Sequence, residues 1–144
     1  MGDQTAQLRL LAEDAEDLEI IAAALQDAVG KIGDIRYEAP ARQVTLVLNR
    51  FCWESDDHAS QRVRAGLQFG GVLSAQARKL RRDAPEAVIE LLTIEFEPGE
   101  TPGGVILLSF AGGGDLRLEV ECVDAALADV SEPWPVKHKP SHEA

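Results

Sequence analysis

QRVRAGLQF-GG-VLSAQARKL, residues 61–80, reads as two alternating runs joined by a glycine pair. Two runs separated by Gly-Gly are a strong hairpin signal, because the turn residues must accept left-handed backbone angles. A two-residue turn at Gly70-Gly71 fixes the expected register. Phe69 then faces Val72, Leu67 faces Ser74 and Val63 faces Arg78. On the other side Gln68 faces Leu73, Arg64 faces Ala77 and Arg62 faces Lys79. The period of two collects Val63, Ala65, Leu67, Phe69 and Val72 on a core face. Arg62, Arg64 and Lys79 gather on the opposite face, with Arg81 next by alternation.

Working outward, the same pattern recurs. Val105–Ala111 and Asp115–Val123 flank Gly112-Gly113-Gly114. A three-residue turn there sets Phe110 against Leu116, Leu108 against Leu118 and Ile106 against Val120. Six apolar side chains share that face, while Arg117, Glu119 and Glu121 point away and Cys122 falls on the core side. Ala87–Phe96 reads as a further strand, ended by the Pro98–Gly104 loop. Towards the N-terminus, Lys31–Glu38 and Arg42–Trp53 read as strands around a turn at Ala39-Pro40-Ala41. Both faces of Arg42–Trp53 are largely apolar, which suggests a central strand covered on both sides.

One helix precedes them. Ala15–Val29 carries Leu18, Ile21, Ala22, Leu25, Ala28 and Val29 on one stripe. Asp14 stands at its N-cap, Glu16 and Asp17 load the first turn, and Gly30 is the expected stop. Gln7–Ala12 is a short first strand, and Asp124 is expected to cap a short helix, Ala125–Val130. The expected fold is therefore α+β: a strongly bent antiparallel sheet, or partly closed barrel, of seven to eight strands packed on the N-terminal helix. Residues 1–130 form one domain in this reading, and 131–144, with three prolines and no apolar period, form a flexible tail whose beginning Trp134 anchors.

Length and composition bound the function. A chain of 144 residues suits one domain with its own core. No run of 18 apolar residues crosses a membrane, and no basic leader with an apolar stretch is visible. Two cysteines are too few for a disulfide scaffold. The expectation from these features is a soluble, cytoplasmic protein. The net charge of −11 divides unevenly: −6 over residues 1–30, +5 over 31–82 and −10 over 83–144. An acidic whole disfavours nucleic acid and anionic membranes. The basic middle is read first as pairing with its acidic neighbours.

Chemical motifs are sparse. Gly112-Gly113-Gly114-Asp115 lacks the Lys-Ser/Thr and following helix of a phosphate loop. His138 and His142 are four apart, but Pro140 between them argues against a helical metal pair. Glu54-Ser55-Asp56-Asp57-His58 gathers carboxylates and an imidazole beside Cys52 and Trp53, yet no second cluster completes a catalytic site. Cys52 reads as a small buried hydrophobe. No catalytic residue, metal ligand or cofactor is therefore assigned. Arg62, Arg64, Lys79 and Arg81 remain as the candidate binding residues, for a protein partner or an anion, since guanidinium forks suit carboxylate and phosphate. Their plainer role is cross-strand pairing with Glu90, Glu95 or Glu97.

Leu8–Asp34, Leu46–Glu54 (LVLNRFCWE), Arg62–Val72 and Leu107–Cys122 together resemble an uncharacterised bacterial (alphaproteobacterial) family built on a domain of unknown function. The resemblance covers nearly the whole chain except the tail and carries over no catalytic residue. Three functions compete. The first is a non-enzymatic protein-interaction module using a charged or edge-strand surface. The second is a ligand-binding protein or enzyme acting on an anionic metabolite, with Arg62 and Arg64 as clamps and Trp53, Asp57 and His58 nearby. The third is a structural homo-oligomeric subunit.

Overall fold

A computed structural model describes residues 8–52 and 61–135. In chain order these form β1 (Arg9–Ala12), α1 (Ala15–Ala24), β2 (Val29–Glu38), a 3-10 turn at Ala39–Ala41, β3 (Gln43–Phe51), β4 (Gln61–Phe69), β5 (Val72–Arg78) and β6 (Val88–Pro98). β7 (Gly104–Phe110), β8 (Asp115–Val120), β9 (Ala125–Asp129) and the two-residue β10 (Trp134–Pro135) follow. The strands run antiparallel in the order β1-β9-β4-β3-β2-β6-β7-β8-β5, with β10 beside β4. The path does not close into a barrel. Among the described residues ten strands replace the expected seven to eight.

The helix follows its capping chemistry. The Asp14 carboxylate accepts from the Asp17 amide at 2.8 Å, and Glu16 and Asp17 sit in the first turn, where the dipole favours them. Leu18, Ile21 and Leu25 are buried against the sheet. The helix ends earlier than Val29, because Asp27 adopts a left-handed conformation (φ 64°) and Val29 already pairs with Asn49 and Glu90. Gly30 is therefore not a helix stop. It lies in β2 between Leu48 and Ile89, where an added Cβ would come within 2.8 Å of the Leu48 side chain and the Val47 carbonyl.

The glycine pair at 70–71 does not make a hairpin. β4 already has β3 on one edge and β9 on the other, and β5 pairs with β8 at the far end of the sheet. Gly70 donates to the Asp124 carbonyl and Val72 to that of Arg42, so the pair turns a corner between the two halves of the sheet. Alternation is preserved through the corner: Val63, Ala65, Leu67, Phe69 and Val72 are all buried. The core face stands, whereas the cross-strand pairs inferred between β4 and β5 do not form.

The second hairpin is real. Its register is two residues from the expected one, with Leu108 opposite Leu116 and Ile106 opposite Leu118. Gly112 and Gly113 take φ of 92° and 100°, angles that only glycine adopts freely. A shift of two keeps every side chain on its face, and the same six apolar residues are buried. Cys122 lies beyond the end of β8 and is half-buried, whereas Cys52 is buried as expected.

The expected helix at 125–130 is β9. Helix propensity in an Ala-rich run yields here to pairing, since β9 fills the gap between β1 and β4 and bonds to both. Ala125, Leu127 and Asp129 point inward on a period of two. Within the expected tail, Trp134 pairs with Arg62 and Pro135 with Gln61. Trp53, residues 54–60, expected as a loop, and residues 136–144 lie outside the described residues, and with them all three histidines.

Candidate functional site

The four bases singled out in the sequence do not share a face. Arg62 and Arg64 stand on the outer side of β4, opposite Phe51 and Asn49. Lys79 follows β5 in a left-handed conformation, and Arg81 lies beyond it, its Nε 4.0 Å from Asp83. β4 and β5 have no pairing to bring the two couples together. Arg62 is committed locally: its guanidinium stacks 3.9 Å from the centre of the Phe51 ring and donates to the Asn49 carbonyl at 3.0 Å. Burial pushes its pKa below the ordinary arginine value, against an opposing pull from Glu90.

A buried ion pair lies on the other side of the same strands. Arg50 Nε and Nη2 donate to the two carboxylate oxygens of Asp129 at 2.9 and 2.8 Å, a bidentate fork. Arg50 also donates to the Phe51 carbonyl, and Asp129 accepts from the Leu8 amide at 2.9 Å. The pair joins β3, β9 and the start of β1. Sequence reasoning missed it, although the signal existed. Arg50 continues the inward series Val44, Leu46, Leu48, and Asp129 continues Ala125, Leu127, so opposite charges end two apolar faces.

A concavity lies elsewhere, between α1 and β6. β6 is long enough to serve both halves of the sheet. Val88–Glu90 pair with β2, whereas Leu91–Pro98 pair with β7. At Leu91 the edge towards β2 makes its last bonds, accepting from Asp27 and donating to Ala28. From Leu92 to Pro98 that edge carries no strand among the described residues. The Gly99 amide donates to Gly103, which fixes the alternation along the hairpin. The main-chain groups of Thr93, Glu95 and Glu97 accordingly turn to β7, and those of Ile94 and Phe96 turn to the open edge.

Beside that edge, α1 forms a wall from Ala15, Leu18, Glu19, Ala22, Ala23 and Gln26, enclosing a groove of about 790 Å³. Alanines on this face of the helix keep the groove wide. Ile94 and Phe96 face the core side, whereas Thr93, Glu95 and Glu97 are exposed on the outer side. Glu19, Glu95 and Glu97 supply charge, and among the described residues no lysine or arginine lines the groove. A smaller cavity of about 250 Å³ sits between β2 and β5, lined by Ile32, Ile35, Ala75, Ala77 and Leu80 with Arg82 at its rim. Neither concavity includes Arg62 or Arg64.

Among the described residues no group of three or more His, Cys, Asp or Glu side chains stands close enough to hold a metal ion. No helix among them is long and apolar enough to cross a membrane. Neither the curated proteins nor the solved structures contain a match to the chain. A family model does match, over residues 8–142, and so spans the sheet, the helix and the groove between them. The chain belongs to the family described as "Protein of unknown function (DUF2948)".

Proposed function

We propose that the protein is a non-enzymatic cytoplasmic interaction module that takes an extended segment of a partner protein as an additional strand on β6. The observation that carries this reading is the open edge at Leu92–Pro98 running along the α1 wall. An unpaired strand edge offers main-chain donors and acceptors to any extended peptide, and a neighbouring wall selects its side chains. Other edges are poorer docks. β1 has four residues, the edge of β2 at Ile32 and Gly33 already donates to Ala87 and Pro85, and β5, the seven-residue strand at the other end of the sheet, does not border the α1 groove. Arg62 and Arg64 take no part in this docking, and Lys79 and Arg81 remain separate surface charges.

The test is selection of random 12-residue peptides displayed on phage against the wild type and against Ala23→Trp. Ala23 is an exposed helix residue of the wall, so the indole fills the groove without disturbing the core. Thermal melting of the variant checks that it folds. Selected peptides should bind the wild type at least tenfold more tightly than the variant and slow hydrogen exchange at the Ile94 and Phe96 amides. No enrichment, equal binding to Ala23→Trp, or protection confined to β1 or β5 would overturn the proposal.

A further inference from the structure

We infer that the segment accepted by the groove is basic, with lysine or arginine alternating with apolar residues. The inference rests on the docking just proposed and follows from the two faces of β6. A residue of an added strand projects its side chain on the same side as the β6 residue it opposes. Positions opposite Ile94 and Phe96 therefore point to the α1 wall, where Ala15, Ala22 and Ala23 offer apolar surface. Positions opposite Thr93, Glu95 and Glu97 point outward, beside two exposed carboxylates. Glu19 stands on the other side, on the wall. Arg117, exposed in the same row, stands on β8, two strands away.

The same charges argue against a second copy of this chain as the occupant. Two β6 edges laid together would oppose Glu95 and Glu97 with their own counterparts, and like charges across a strand pair destabilise it. The chain's net charge of −11 further attracts a basic partner and repels another copy.

The probes are three labelled, capped hexapeptides, (Lys-Val)3, (Ser-Val)3 and (Glu-Val)3, titrated into the full chain by fluorescence anisotropy in 0.1 M salt. The wild type should prefer (Lys-Val)3 over (Glu-Val)3 by about tenfold or more, the combined effect of two cross-strand charge pairs. Glu95→Lys/Glu97→Lys, two exposed substitutions, should reverse that order. Raising the salt to 1 M shortens the screening length from about 10 Å to about 3 Å and should erase most of the preference. Equal affinity for the three peptides, or an order the double variant leaves unchanged, overturns the charge rule. If none of the hexapeptides binds while phage-selected peptides do, the charge rule fails and the groove stands. If no extended peptide binds at all, both fail. Dimerisation abolished by Ala23→Trp would assign the groove to a second copy. Binding of (Lys-Val)3 only after Lys137→Glu/Lys139→Glu would assign it to the chain's own C-terminal segment. Either result overturns the inference.

Discussion

Asp129→Ala should be among the most damaging single substitutions in the protein. Its side chain is 5% exposed and that of Arg50 1%, so truncation takes the carboxylate away from a guanidinium where water does not reach. Two charge-assisted bonds of 2.9 and 2.8 Å disappear, and the Leu8 amide loses its acceptor. Removing one partner of a buried pair costs about 3–5 kcal/mol. With a urea dependence of about 2 kcal/mol per molar, that cost moves the unfolding midpoint down by about 1.5–2.5 M. Replacing both partners, as Arg50→Met/Asp129→Leu, removes the buried charge together with the attraction. The double variant should recover much of the loss, since apolar replacement of a buried pair is often neutral or stabilising. Equilibrium urea unfolding of the wild type, both single variants and the double variant gives the coupling directly. A loss below about 1 kcal/mol for Asp129→Ala, or additive single losses, would refute the assignment of a desolvated, mutually dependent pair.

Other positions give sharper contrasts. Gly30→Ala should destabilise by about 1–3 kcal/mol, because its Cβ meets a backbone carbonyl that cannot step aside, whereas Gly66→Ala, with open space at that position, should be neutral or slightly stabilising in the same urea assay. Asp14→Ala should cost about 1 kcal/mol through loss of the cap on α1, measured by thermal unfolding, and Asp14→Asn should restore most of it. Arg62→Ala should cost about 1–2 kcal/mol by removing the Phe51 stacking and the Asn49 bond, while Arg64→Ala stays within about 0.5 kcal/mol. The Lys31 pKa is raised by its 2.8 Å bond and charge attraction to Glu86, so this pair's contribution is complete below the ordinary lysine value of 10.5 and fades as pH rises through the raised one. Glu86→Gln should return the Lys31 titration, followed by NMR, towards the ordinary value.

Local pattern revealed which residues face inward far better than which strands meet. Val63, Ala65, Leu67, Phe69 and Val72 are buried as alternation requires, although their strands have partners other than those expected. The reason is physical. A period of two is a property of one strand, whereas pairing depends on which edges remain available after the whole sheet assembles. Gly70 and Gly71 can serve a hairpin or a corner, and only the occupancy of both β4 edges decides between them. The helix reading of Ala125–Val130 failed for a related reason: Ala and Leu favour a helix in isolation, but a gap between β1 and β4 rewarded an extended chain. That misreading also hid Asp129, because as a helix residue it had no claim to oppose Arg50. The groove was illegible because it arises from an absence of pairing beyond Leu91, which no residue type announces.

An open strand edge is a hazard as well as a binding device, and β6 carries protections against the hazard. The register shifts between Leu91 and Thr93, which interrupts a flat edge near its start. Pro98 ends the strand and offers no amide, and Glu95 and Glu97 place like charges where another β6 would have to lie. The α1 wall flanks the edge on the core side, so in the proposed docking a single extended segment would lie between wall and strand. The carboxylates that deter another copy of the chain are also those that would hold lysine or arginine on a partner. Under the proposed docking, avoidance of self-association and choice of partner would therefore draw on the same side chains. Glu95→Lys/Glu97→Lys should lower affinity for basic segments without lowering the unfolding midpoint, since both residues lie on the exposed side of β6. A large loss of stability in that variant would mean the two glutamates hold the sheet together, and their place in recognition would fall.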